Sequence, residues 1–247
     1  MKVIIAILIS LFATALQAKE AKVLIPFGPG GGVDLLFRNL EKFGKQQGVT
    51  LVPEYVPGAE GVVGMNKAMD MPKDTLILTT SEVLASKGSP AKRFDSLRSF
   101  EYITGIRSTV FALVRNDRQD YIFGYNSPTQ KELVEQYIAE KNIKDHIMVP
   151  YKTIPQILND LVNNTISMAI IPASLIVQNP KVEFVKLIEG YSEFALVMPA
   201  GADTSFWSKF IKDYMDSDQA KADAKRDLMI LKPFGKKRII DLVSKNL

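Results

Sequence analysis

The chain has no cysteine and a single histidine, His146, among its 247 residues. Without a thiol there is no disulfide, no thiolate nucleophile, no cysteine-ligated zinc or iron–sulfur site and no lipid on an N-terminal cysteine. With one imidazole, serine–histidine triads, two-histidine metal sites and most histidine acid–base schemes would all have to run through His146. That residue follows Asp145 and precedes an apolar run, the setting of an ordinary surface histidine. Strong charge of one sign is also missing: 31 basic against 27 acidic residues give +4, and loss of Lys2 with the first 18 residues leaves +3. Charges alternate in sign along most segments, which argues against a nucleic-acid surface. The one basic run, Lys236-Lys237-Arg238, reads as a solvated helix face. What is present, 47% hydrophobic and 23% charged residues, excludes disordered, collagen-like and coiled-coil chains and suffices for one large or two modest domains.

Lys2 is followed by an apolar stretch, Val3 to Leu16, broken only by Ser10 and Thr14, and then by the charged pair Lys19-Glu20. The stretch is shorter than the ~20 residues that cross a bilayer as a helix. Small residues at Ala13, Ala15 and Ala18 suit signal peptidase, so residues 1–18 read as a secretory signal cleaved after Ala18 or Ala15, and a periplasmic location follows.

Beyond it, short β-rich runs alternate with amphipathic stretches. Lys22–Pro26, Thr50–Tyr55 and Thr75–Thr80 are expected strands, separated by helices over Val33–Lys45 and Gly61–Met71. A second series has strands at Val110–Val114, Tyr121–Gly124, His146–Val149, Ile166–Ile171 and Phe184–Ile188. Its helices are announced by their caps: Ser127-Pro128-Thr129-Gln130 opens a helix to Glu140, and Thr153-Ile154-Pro155-Gln156 opens another through Ile157–Val162. The chain returns through a strand at Phe194–Met198, a Pro199-Ala200-Gly201 turn and helices over Ser205–Met215, Gln219–Leu228 and Lys236–Lys245. Strand–helix–strand spacing means parallel βαβ units, hence two α/β lobes joined by short strand crossings, with ligands expected at the carboxyl ends of the strands and between the lobes. Trp207, Phe206, Phe210 and Tyr214 form a helix-packing stripe.

The densest glycine run, Pro26-Phe27-Gly28-Pro29-Gly30-Gly31-Gly32-Val33-Asp34, joins the first strand to the first helix. Such a loop brings backbone N–H groups to one point, and the helix start adds its own unpaired N–H groups and positive dipole end; this suits a carboxylate or phosphate, although a plain tight turn has the same composition. Asp34 is favoured there by the dipole and can also orient the loop. Nucleotide motifs fail: no Gly-x4-Gly-Lys-Ser/Thr occurs, Val33 takes the third glycine slot of a dinucleotide fingerprint, and no acidic residue closes the second strand for a ribose.

PFGPGGGVD, VPGAEGVVG at Val56–Gly64, TTS at Thr79–Ser81 and VPYK at Val149–Lys152 together resemble the solute receptors of tripartite tricarboxylate transporters, the Bug receptors. Phe94–Phe100 and Met198-Pro199-Ala200-Gly201 resemble two further segments, in the same order across nearly the whole mature chain. The resemblance implies a two-lobed α/β periplasmic binding protein fold, type II-like, each lobe a mainly parallel sheet flanked by helices. On this chain the leader is 1–18, one lobe is 19–106 with 190–247 and the other is 107–189. It implies a receptor that closes on a small carboxylate, organic acid or amino acid, and presents it to membrane transporter subunits, with no cofactor or metal; nothing in the sequence demands more than a monomer, and the charge pattern argues against nucleic acid. Carried over, the ligand contacts are Phe27, Gly28, Pro29, Gly30, Gly31, Gly32 and Asp34 in the first loop and Thr80 and Ser81 after the third strand. In the second lobe they are Gly124, Asn126, Ser127, Tyr151, Lys152 and Thr153.

The chain departs from the family pattern in its length, with little between Ile188 and Phe194, in Val56 and Glu60 of the second loop, and in Gly124-Tyr125-Asn126-Ser127. If the second loop sits as the resemblance implies, Glu60 adds negative charge near the mouth, which would favour a ligand bearing an amine or weaken binding of polyanions such as citrate. Two other readings remain: an exported α/β enzyme on a carboxylated or phosphorylated small molecule, with Asp34 or Glu60 as base, and a binding protein of the same fold serving a sensor without a transporter.

Overall fold

A computed structural model describes residues 19–86, 91–176, 179 and 181–245; the expected leader lies outside them. The chain begins with β1 (Lys19–Ile25), α1 (Gly32–Gln46), β2 (Val49–Tyr55), α2 (Val62–Ala68), β3 (Leu76–Thr80) and the short α3 (Ser81–Ala85). Strand β1 lies between β2 and β3, parallel to both. It is buried on both faces at Val23, Leu24 and Ile25 because helices cover both sides of this part of the sheet. One cover is α1, which turns Leu36, Phe37, Leu40 and Phe43 inward at helical spacing, joined by the stripe at Trp207, Phe210 and Tyr214; the other packs Met65 and Leu84 on Leu24 and Ile77. Phe206, the fourth member of that stripe, is exposed, with the Lys19 ammonium 3.9 Å from its ring centre.

The second series comprises β5 (Ile122–Tyr125), α4 (Pro128–Glu140), β6 (Ile147–Pro150), α5 (Ile154–Val162), β7 (Met168–Pro172) and a 3-10 turn at Ala173–Leu175. Strand β5 runs parallel to β6 and β7, and again both faces are covered: Ile157 and Leu161 of α5 pack on one, Val134 and Ile138 of α4 on the other. The expected boundaries of α4 hold to the residue, because Pro128 at the first turn fixes where it starts.

The connection between the two halves differs from the expected short crossings. The Val110–Val114 strand is the end of a 16-residue β4 (Phe100–Arg115), and the strands expected at Phe184–Ile188 and Phe194–Met198 are one 17-residue β8 (Glu183–Pro199). They pair antiparallel throughout, so a single nine-stranded sheet has the order β2-β1-β3-β8-β4-β7-β5-β6. The polar run from Glu189 to Glu193 resembles a break, yet pairing resumes after a bulge in which β8 passes from Ile188 to Tyr191 while β4 advances only from Phe111 to Val110. The return continues through α6 (Ser205–Asp216), α7 (Asp218–Arg226), β9 (Met229–Phe234) and α8 (Lys236–Lys245). Strand β9 pairs with the first half of β4.

Candidate functional site

The glycine loop leaves β1 at its carboxyl end. Gly30 has φ +81°, a conformation open to glycine, and its N–H donates to Asp34 Oδ2 at 2.8 Å. Asp34 Oδ1 accepts from the Tyr55 hydroxyl and lies 3.3 Å from Arg38 Nε, while Arg38 Nη2 donates to the Tyr55 oxygen at 2.9 Å. Asp34 therefore orients the loop, and burial together with the carboxylate pushes the Tyr55 hydroxyl up to about 12. Sequence reasoning missed Arg38 and Tyr55; the available signal was Tyr55's place at the carboxyl end of β2, level with Ile25. At the N-cap, Gly31 has no side chain, so the first N–H groups of α1 are not capped by that residue.

The second motif supports the first. A Cβ on Gly64 would come within 2.6 Å of Pro26, so only glycine lets α2 approach the end of β1. Phe27 is half-buried and packs against the cores on both faces of the sheet, and Pro29 is exposed. In the same second loop Glu60 has φ 56°, and burial raises its carboxyl above the ordinary value.

At the end of β3, Thr80 and Ser81 are both buried, with Thr80 opposite Phe194 of β8. The next residue, Glu82, accepts from Glu193 N at 3.3 Å and from the Ser192 hydroxyl at 3.4 Å. Glu193 is ion-paired with Arg238 at 3.2 Å, which takes one member of the basic triplet off the solvated face expected for it. Desolvation pushes the Glu82 carboxyl up to about 7, the charge of Glu193 adds to this, and hydrogen bonds from Glu193 N and Thr80 oppose it.

In the second half, Ser127 Oγ accepts from Gln130 N at 3.1 Å as expected, but Gln130 Oε1 accepts from Asn126 N at 2.8 Å and not from Ser127 N, so the reciprocal half of the capping box is shifted by one residue; the full box forms at Thr153 and Gln156. Gln156 Oε1 accepts from both Lys152 N and Thr153 N at 3.2 Å. Gly124 is a packing position, since a Cβ there would lie 2.6 Å from Ile166 Cδ1. Tyr151 turns its hydroxyl to Asp160 Oδ2 at 2.7 Å, and burial with this bond pushes it up to about 12. Tyr151 and the exposed Lys152 line a surface groove of about 580 Å³ with Pro155, Gln156 and Asp160.

The glycine loop meets this half directly. A Cβ on Gly28 would be 3.5 Å from the Thr153 methyl and one on Gly30 3.2 Å from Pro155 Cγ. One on Gly32 would be 3.2 Å from Phe194 and 3.6 Å from Ser174 Oγ, two residues the sequence did not single out. The N-terminal end of α1 is thus enclosed by β8, the start of α5 and the turn after β7.

No protein-family model matches the chain, and no curated protein matches its sequence. Solved structures do match. An R. palustris protein with adipate is 14% identical at a TM-score of 0.80, over 93% of this chain and 95% of that one. MatC from Rhodopseudomonas palustris with bound malate is 12% identical at a TM-score of 0.75, over 92% and 97%. The periplasmic binding protein BugD is 12% identical at a TM-score of 0.76, over 92% and 95%. The shared feature is the fold: this chain has the two-lobed α/β fold of these periplasmic binding proteins.

Proposed function

We propose that the chain is a periplasmic solute receptor of the tripartite tricarboxylate type, exported by its leader, which captures a small carboxylate and presents it to membrane transporter subunits. The lobes are 19–106 with 190–247 and 107–189, and ligand enters between them. The observation that carries the proposal is the glycine loop: its N-cap has no side chain to satisfy the first N–H groups of α1, Asp34 holds it in place, and the second half closes over it. A carboxylate satisfies those donors and the positive end of the helix dipole at once. Related folds with bound malate and adipate support that ligand class.

The test is thermal melting of the mature protein against acetate, malate, adipate, citrate, aspartate and an aromatic acid. Ligand at ~100 times its dissociation constant adds about 2.7 kcal/mol of apparent stability, a shift of several degrees. A selective shift without turnover supports the receptor; turnover of a panel member favours the enzyme, and no shift by any member removes the carboxylate reading.

A further inference from the structure

We propose that Ser174 is a ligand-contact residue, donating its hydroxyl to the carboxylate seated at the start of α1; this rests on the receptor reading above. Ser174 lies in the 3-10 turn after β7, is fully buried, and its Oγ has no hydrogen-bond partner among the described residues. A buried hydroxyl left unpaired is costly, and such groups in folded proteins are few. This one stands against the anion-binding helix end.

The distances fit one bridging oxygen. Ser174 Oγ is 3.6 Å from the position of a Cβ on Gly32, beside the start of α1, and makes no hydrogen bond to it. A ligand oxygen accepting from an N–H of that helix end and from the Ser174 O–H, each at about 2.8 Å, would join the two. A hydroxyl rotates to suit its acceptor, so Ser174 donates to a carboxylate oxygen and leaves the second oxygen to the loop. Phe194, 3.2 Å from the same point, makes the adjoining wall apolar. Ser174 belongs to the half of the sheet holding β7 and Gly32 to the half holding β1, so a single ligand oxygen ties the two together. The contact therefore contributes to affinity through closure as well as through its own hydrogen bond.

Two readouts separate this role from a structural one. The Ser174→Ala protein, secreted from its full-length gene, is compared with the unsubstituted protein by calorimetric titration with the same six acids and by melting without ligand. The expected result is at least about tenfold weaker binding of whichever acid the unsubstituted protein binds, together with an unchanged or higher ligand-free melting temperature, since the deleted hydroxyl has no partner to lose. Equal affinity in the two proteins overturns the role of Ser174 and leaves the receptor intact. A ligand-free melting temperature lowered by several degrees makes the hydroxyl structural and likewise overturns it. Failure of the unsubstituted protein to bind any of the six overturns the receptor, and this inference with it.

Discussion

A carboxyl group that titrates near neutrality, Glu82, holds the crossing strand β8 through Glu193 N and the Ser192 hydroxyl. Around it stand Thr80 at the end of β3, Glu193 on β8 and Arg238 of α8, which pairs with Glu193. With an ordinary value of 4.5 unfolded and about 7 folded, the native state binds the extra proton between those values. Stability therefore falls as pH rises from about 4.5 through about 7 and is flat well above it, by an amount on the order of 3 kcal/mol. Glu82→Gln stays neutral throughout. The expected outcome in urea unfolding is that its stability relative to the unsubstituted protein grows between about pH 5 and about pH 8; parallel profiles would refute it. Nothing local announces this residue, because a glutamate in the first turn of a helix is ordinary. Its environment comes from residues 110 positions later in the chain. Asp34 was legible for the opposite reason: its partner Gly30 is four residues away, inside the same motif.

Among the elements, those with strong local signals were read well: α4 has its cap and proline, and α1 its apolar stripe. Strand β9 was missed because Lys232-Pro233 interrupts an apolar run and the strand depends on pairing with β4, more than a hundred residues earlier. Helix α7 offers little apolar surface of its own, burying Ala220, Asp223 and Ala224. Its attachment is ionic. Arg107 on β4, fully buried, reaches the Tyr214 hydroxyl, Ala220 O at 3.3 Å and Asp227 at 3.6 Å. Arg226 binds Asp223 and Asp227 from the other side, each at 2.7 Å. Removing one partner of a buried ionic cluster leaves charge uncompensated, and Arg226 compensates only part of it. Arg107→Leu is expected to cost about 3 kcal/mol in urea unfolding, with hydrogen exchange accelerated first in α7 and β9. A loss under about 1 kcal/mol would mean that Arg226 alone holds these elements.

Over the whole molecule, two α/β halves were legible from the alternation of strands and helices, whereas their union into one sheet was not, because the pairing of β4 with β8 spans the chain and hides behind polar residues. The shared ribbon is irregular at four points, between Tyr102 and Thr104, Gly105 and Arg107, Val110 and Phe111, and Leu113 and Val114, and closure of the halves on ligand, as proposed above, would bend cheapest where the ladder is already interrupted. The stop for such a closure would be the approach of Thr153 to Gly28, where an added Cβ lies 3.5 Å from the threonine methyl. An alanine at position 28 makes an ordinary contact at 3.5 Å, but a phenylalanine must push the start of α5 away. Because Gly28 has an ordinary backbone conformation and is only half-buried, the larger side chain opens the gap between the halves instead of disrupting either core. Gly28→Phe is accordingly expected to melt within a few degrees of the unsubstituted protein and to scatter X-rays with a larger radius of gyration. A ligand that requires the closed arrangement then binds more weakly by the factor through which closure is depopulated, about tenfold for each 1.4 kcal/mol of added cost. Gly28→Ala should match the unsubstituted protein in both measurements. Equal scattering and affinity for Gly28→Phe would place the ligand outside the contact between the glycine loop and α5, and the loop would then be a turn that binds nothing.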